Sequence, residues 1–186
     1  MNSTPRSMQE PNVMIRQFFD ADAAAVRDLF VRVNEHLAPD HMAQAFEAYI
    51  KRSLREEIDH IAEYYKERHG LFFVAEISES LVGMYGLESV AIDAMELRRM
   101  YVDPDARRRG IGRSLLAHAE DQTRLADKAR LILSTSEIQT AALSLYRASG
   151  YIELREEVSK GQSNKQVGGG LRRFHFEKCL QDEMSP

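Results

Sequence analysis

At 186 residues, 44% of them hydrophobic, the chain is long enough to bury a sizeable core as one domain, and its length requires no second one. A formal net charge of -4 and a pI near 5.9 argue against a dedicated binder of nucleic acid or anionic membrane, and the single cysteine, Cys179, excludes an intramolecular disulfide. With no apolar run of membrane-spanning length, no signal-peptide apolar region and no metal-ligand spacing, the expectation is a cytoplasmic protein that needs no metal.

Residues 1–12 carry Ser, Thr, Pro and Gln without an apolar period and read as a loose tail. Residues 13–180 then form one domain, with 181–186 as a C-terminal tail. Val13 to Phe18 reads as a short strand, and Asp20 can cap a helix whose apolar positions are Val26, Leu29, Phe30, Val33 and Leu37. A second stripe, Met42, Phe46, Ile50, Leu54, Ile58 and Ile61, is long enough for one bent helix or two, and Gly70 is its stop. The texture then turns strand-like. Leu71 to Ala75 and Leu81 to Leu87, joined through Ser78-Glu79-Ser80, predict a β-hairpin. Met95 to Val102 predicts the next strand, Ile111 to Asp127 a helix, Arg130 to Thr135 a strand, Gln139 to Ser149 a short helix ended by Gly150, and Tyr151 to Leu154 a strand. Gly161 to Gly170 is a flexible loop. The last strand alternates Phe174 and Phe176 against His175, Glu177 and Cys179, as a half-buried edge would. A strand, helix, strand run around Arg107 to Gly112 requires a parallel crossover while the hairpin is antiparallel, so the sheet is mixed and the class is α/β or α+β.

The stretch from Met95 to Glu120 joins a strand to a helix through Asp103-Pro104-Asp105 and an arginine and glycine turn. The first amides of a helix have no intrahelical partner and sit at the positive end of its dipole, so this grammar suits an anion. A P-loop would need Gly at Arg107 and Lys at Arg113, and a Rossmann fingerprint would need a third glycine near Leu115. Both tests fail. What remains, Arg107-x-x-Gly110-x-Gly112 after Val102-x-Pro104, resembles motif A of the GNAT superfamily of N-acetyltransferases, whose R/Q-x-x-G-x-G/A binds the pyrophosphate of acetyl-CoA. The segment Gln139 to Tyr151 is similar to the same family's N-x-x-A-x-x-L-Y-x-x-x-G-F/Y element, with Gln139 where asparagine is usual and with Ala142, Tyr146, Gly150 and Tyr151 in place. The Glu96 to Val102 strand and the Thr135 to Leu143 stretch look most like the camello-type small-molecule branch.

The resemblance implies a single-domain fold with a mixed, largely antiparallel sheet of six to seven strands flanked by about four helices. It implies acetyl-CoA as co-substrate, bound in the splay between the Met95 and Arg130 strands by the backbone of Met100, Tyr101 and Val102. The turn of Arg107, Arg108, Arg109, Gly110, Ile111, Gly112 and Arg113 would hold its phosphates, with Gln139, Ala142 and Tyr146 completing the cofactor surface. The implied reaction is direct transfer to a primary amine of a small molecule in a ternary complex. A non-catalytic acetyl-CoA sensor and a protein or peptide N-acetyltransferase are the alternatives. Tyr146 would protonate the departing thiolate, or else packs beside Leu145. Glu96 would take the amine's proton or hold its ammonium, or else is a solvated strand-end acid, with Glu88 as the reserve base. Arg98 and Arg99 would present a planar fork to a substrate carboxylate, or else pair with a neighbouring acid. Alternation places Glu96, Arg98 and Met100 on one face. His36 and His41 fall near the implied acceptor pocket but read as surface residues, and Cys179 reads as a buried small side chain. The expected partner is a small-molecule amine, not nucleic acid or membrane, and a homodimer, where one forms, would use the edge near Phe174.

Overall fold

The computed structural model describes residues 13–159 and 161–181. The predicted tail at 1–12 and all of the C-terminal tail but Gln181 lie outside the described residues. The chain runs β1 (Met14–Gln17), α1 (Ala23–Leu37), α2 (Ala43–Glu56), α3 (Ile61–Glu67), β2 (Leu71–Ile77), β3 (Ser80–Ala91), β4 (Ala94–Val102), α4 (Ile111–Leu125), β5 (Arg130–Ser136), α5 (Thr140–Ala148), β6 (Ile152–Val158) and β7 (Arg172–Cys179). The seven strands form one sheet in the order β1-β2-β3-β4-β5-β7-β6, antiparallel throughout except for the parallel pair β4 and β5. This is the mixed sheet expected from the crossover and the hairpin.

Two cores lie on opposite faces because strand side chains alternate. Phe72, Val74 and Met84 face α1, α2 and α3, where Leu29 and Phe30 are fully buried. Phe73, Ala75, Tyr85, Met95 and Leu97 face the other way, against Leu115 and Ala119 of α4 and Leu143 and Tyr146 of α5. Each fully buried Leu or Phe contributes about 1.5–3 kcal/mol, so the two layers hold the sheet between them.

Several expectations change. Asp20 does not cap α1: it sits in a short 3-10 turn, and it is the Asp22 carboxylate that receives the Phe19 amide at 2.8 Å. The second apolar stripe breaks at Glu57, whose backbone (φ -148°, ψ -60°) leaves helical space before α3 begins. The hairpin turn is shorter than predicted, with Ser78 and Glu79 both left-handed at φ 50° and 65°. That conformation matches the twist of the flanking strands. The last strand is not an edge. A long hairpin returns β7 between β5 and β6, so β6 takes the rim and the Phe174 strand has no free side for a second copy. Cys179 ends β7 exposed, because its alternate position points away from the Phe176 core. No helix among the described residues is long and apolar enough to cross a membrane.

Candidate active site

β4 and β5 pair only from Ala94 with Arg130 to Leu97 with Leu133, and beyond that point they separate. From Arg98 to Val102 the side of β4 that faces β5 therefore has no strand partner, and its backbone donors and acceptors are open to a ligand. The separation coincides with a bulge. Arg98 pairs with Gly86 and Tyr101 with Met84, so Arg99 and Met100 together oppose Tyr85, and Arg99 is left-handed at φ 54°. A bulge of this kind bends the strand and re-aims its side chains. The alternation that would have put Met100 beside Glu96 and Arg98 is broken there: Met100 and Val102 instead pack with Met95 and Leu97 on the α4 side.

On the other face Arg98 and Arg99 both turn to the buried Glu57. Its carboxylate accepts from Arg98 Nη2 at 2.8 Å, Arg99 Nε at 3.0 Å, Arg99 Nη2 at 2.6 Å, the Tyr65 hydroxyl at 2.8 Å and Asn164 Nδ2 at 3.2 Å. Arg98 also donates to Glu88 and Tyr64, and Arg99 to Tyr49 and the Asn164 carbonyl. Burial alone would raise Glu57, but the charge and hydrogen bonds of Arg99, then Arg98 and the Tyr65 hydroxyl, hold its carboxyl below the usual range. Of the two readings of Arg98 and Arg99, the ion pair to a neighbouring acid is the one formed. A left-handed arginine costs about 1–2 kcal/mol, and Arg99 tolerates it because both ends of its guanidinium are held.

The separated strands bound a cleft of about 890 Å³ including its open mouth. Glu96, Arg98, Met100, Tyr101, Gln139 and Tyr146 all line it, so six of the predicted site residues meet there. The Tyr146 ring packs against Tyr151 and Phe176 at centroid distances of 5.8 and 6.0 Å, and burial pushes its phenol up. It therefore both packs and faces the cleft. Gln139 precedes α5 and turns its carbonyl back to Thr135 Oγ1 at 2.9 Å and the Ser136 amide at 3.3 Å, which leaves its Nε2 as the available group. Glu96 pairs with Lys165 Nζ at 2.6 Å, and Glu88, buried behind the lining, reaches the same nitrogen at 3.3 Å.

The anion-binding turn lies off this lining, at the start of α4. Arg107, Arg108, Arg109, Gly110 and Arg113 are exposed, and the four arginines make no ion pair among the described residues. Arg108 and Gly110 are left-handed at φ 63° and 76°, which aims the turn at the first amides of α4, those of Ile111 and Gly112. A Cβ at Gly112 would stand 3.5 Å from Leu145 and 3.9 Å from Val102, so this glycine is where α4, α5 and β4 approach one another. Ala142 lies against the same core, and His36 and His41 are exposed outside the cleft.

Sequence reasoning missed Glu57, Asn164, Lys165 and Arg173. Glu57 had a signal: three residues after Leu54 and four before Ile61, it is an acid on the apolar stripe. The others had none, since their partners lie far away in sequence. Arg173 lines the cleft and, among the described residues, its guanidinium donates only to the Lys165 carbonyl and Ser134 Oγ and leaves Nε buried without a partner. It forms no ion pair among the described residues, and burial lowers it from its ordinary value.

A bulged β4 that parts from a parallel β5, beside a glycine turn at a helix start, defines the GNAT type of acetyltransferase fold. The acetyltransferase (GNAT) family profile matches residues 26–151, more than half of the chain, and the chain belongs to that family. It is similar to the IAA acetyltransferase of Azospirillum brasilense, 38% identical over 86 residues that cover 44% of this chain and 54% of that protein. It is also similar to N-acetyltransferase 8 of Homo sapiens, 31% identical over 109 residues, 55% of this chain and 48% of that one. The chain thus spans about half the length of the curated relatives it matches. Among solved structures, the paiA N-acetyltransferase of Thermoplasma acidophilum in complex with coenzyme A shares the fold at a TM-score of 0.68, with 19% identity over 90% of this chain and 99% of that one.

Proposed function

We propose that the protein is an acetyl-CoA-dependent N-acetyltransferase acting on a primary amine of a small molecule, by direct transfer within a ternary complex. The observation that carries the reading is the unpaired side of β4 from Arg98 to Val102, facing a cleft on which Tyr146 and Glu96 meet. The residues fit the co-substrate: open backbone for an amide-bearing arm, a glycine at Gly112 where the chain must be approached closely, and helix-start amides beside four arginines that form no ion pair among the described residues, for phosphates. When bound, acetyl-CoA supplies an acetyl group activated as a thioester.

The chain's own groups do the rest. Backbone amides of Met100 and Tyr101 polarise the carbonyl as negative charge develops on its oxygen. Glu96, with Glu88 behind it, accepts a proton from the incoming ammonium, and Tyr146 donates one to the leaving sulfur. A phenol raised by burial keeps its proton at neutral pH and is suited to an acid's role. Arg107, Arg108, Arg109 and Arg113 screen the phosphates at the surface, with Gln139 Nε2 and Ala142 bordering the arm.

The acceptor side favours an amine that also carries a carboxylate. Four cations, Arg98, Arg99, Lys165 and Arg173, line it against Glu96, with Glu57 and Glu88 directly behind, so among the described residues the cluster has one cation more than its carboxylates, and Arg173 is the one that pairs with no acid there. The loop bearing Asn164, Lys165, Val167 and Gly168 also lines the cleft, which supports a small acceptor over a folded protein. Thiol release measured with saturating acetyl-CoA, across a panel of amino acids and their decarboxylated amines, tests this. The expected result is turnover that favours the carboxylated members. No thiol above the hydrolysis blank for any amine would overturn the reading.

A further inference from the structure

The loop between β6 and β7 places a primary amine of the chain itself in the acceptor position. Ser163 and Gln166 bond each other's backbone in both directions at 3.2 Å, which makes a tight turn with Asn164 and Lys165 at its tip. That tip enters the cleft. The Asn164 backbone carbonyl accepts from Arg99 Nη2 at 2.6 Å and its side-chain Nδ2 donates to Glu57, which fixes the turn from behind. Lys165 Nζ then lies 2.6 Å from Glu96 and 3.3 Å from Glu88, the two carboxylates to which the acetyl-transfer reading assigns the acceptor's ammonium. Its carbonyl receives Arg173, the cation to which the same reading assigns the acceptor's carboxylate. Lys165 thus occupies both positions at once, with a side chain 40% exposed.

Resting on that reading, we propose that Lys165 is a self-acetylation site, an internal acceptor used when no free amine is in the cleft. The Nζ–C amide bond forms as the thioester C–S bond of acetyl-CoA breaks. Of the two protons the ammonium gives up, one reaches the CoA sulfur by way of Tyr146 and the other leaves through Glu96 to solvent. The product lysine is neutral. It can no longer balance Glu96 and Glu88, so acetylation withdraws one of the bonds that hold the loop tip in the cleft and leaves those of Asn164 and Arg173.

Other lysines provide the contrast. Lys51 is paired on the surface with Glu47, Lys128 with backbone carbonyls of Ala91 and Ile92, and Lys178 with Glu120, all outside the cleft. The full chain is incubated with isotope-labelled acetyl-CoA and no amine, then read by intact mass and peptide mapping. Proximity predicts labelling of Lys165 about tenfold or more faster than of Lys51, at a rate independent of protein concentration. In Tyr146→Phe the Lys165 rate falls while the Lys51 rate stays. Labelling of Lys165 no faster than Lys51, or with bimolecular concentration dependence, overturns the proposal. A parallel thiol assay with the amine panel separates the two failures: amine turnover with Lys165 unlabelled sinks self-acetylation alone, and loss of both sinks the transferase reading with it.

Discussion

Replacing Glu57 with Gln is the most informative perturbation, because this carboxylate is not itself part of the cleft lining and yet holds both arginines at the β4 bulge from behind. The substitution keeps shape and one acceptor oxygen but removes the charge. Arg98 retains Glu88, so its loss is partial; Arg99 retains only the Tyr49 hydroxyl and the Asn164 carbonyl, and becomes a buried cation without an anion. Breaking one side of a buried pair costs about 3–5 kcal/mol, and the surviving amide oxygen puts Glu57→Gln near the lower end, about 3 kcal/mol. Urea unfolding should show the midpoint falling with an unchanged slope, which separates lost stability from a changed unfolded state. The left-handed Arg99 backbone would relax as its side chain is released, so acetyl transfer should fall even at temperatures where the variant is folded. A loss of under about 1 kcal/mol would refute the reasoning and mean that the arginines are satisfied without Glu57.

The same residue predicts acid lability. Its folded pKa is depressed, so the stabilisation is complete above the unfolded value of about 4.3 and is lost as pH falls through the folded value; a melting temperature that stays level down through that range would count against it. Tyr146→Phe should lower kcat about a hundredfold or more with CoA affinity little changed, since a thiolate's acid acts after binding; equal losses in both would make the ring a packing residue only. Gly112→Ala meets Leu145 at an ordinary contact distance and removes a flexible residue from a helix, so stability should hold or rise by about 0.5–1 kcal/mol. CoA affinity measured by calorimetry should nonetheless drop about tenfold, and unchanged affinity would place the phosphates elsewhere.

How far the sequence announced this follows from the range of the interactions. The amphipathic stripes of α1 and α2, the β2–β3 hairpin and the strand, turn and helix around Arg107 to Gly112 are local, and periodicity or glycine placement reveals them. The exchange of β6 and β7 was hidden because alternation records which face a strand buries, not which neighbours it takes. The bulge at Arg99 was hidden for a related reason: a non-glycine residue in left-handed space leaves no mark in a β-like run, and one extra residue reverses the facing of Met100. Glu57, Arg98, Arg99, Asn164 and Lys165 come from α2's end, β4 and the 161–170 loop, so their cluster exists only once the sheet has closed.

That cluster also explains why the strands part where they do. A straight β4 would continue its ladder with β5 past Leu97 and Leu133 and leave no opening. The extra residue at Arg99 bends β4, and the bend persists because its cost of about 1–2 kcal/mol is smaller than that of freeing a buried arginine from Glu57. Cleft and charge cluster are therefore one construction, open on the α5 side and anchored on the α2 side. The tip that brings Lys165 to Glu96 is tied into the same anchor through Asn164, so a group that displaces Lys165 also pulls on the carboxylate that keeps β4 bent. A double variant, Glu57→Gln with Asn164→Ala, should accordingly be less destabilised than the sum of its parts, because both substitutions act on the same Asn164–Glu57 bond; strict additivity would separate the loop from the bulge.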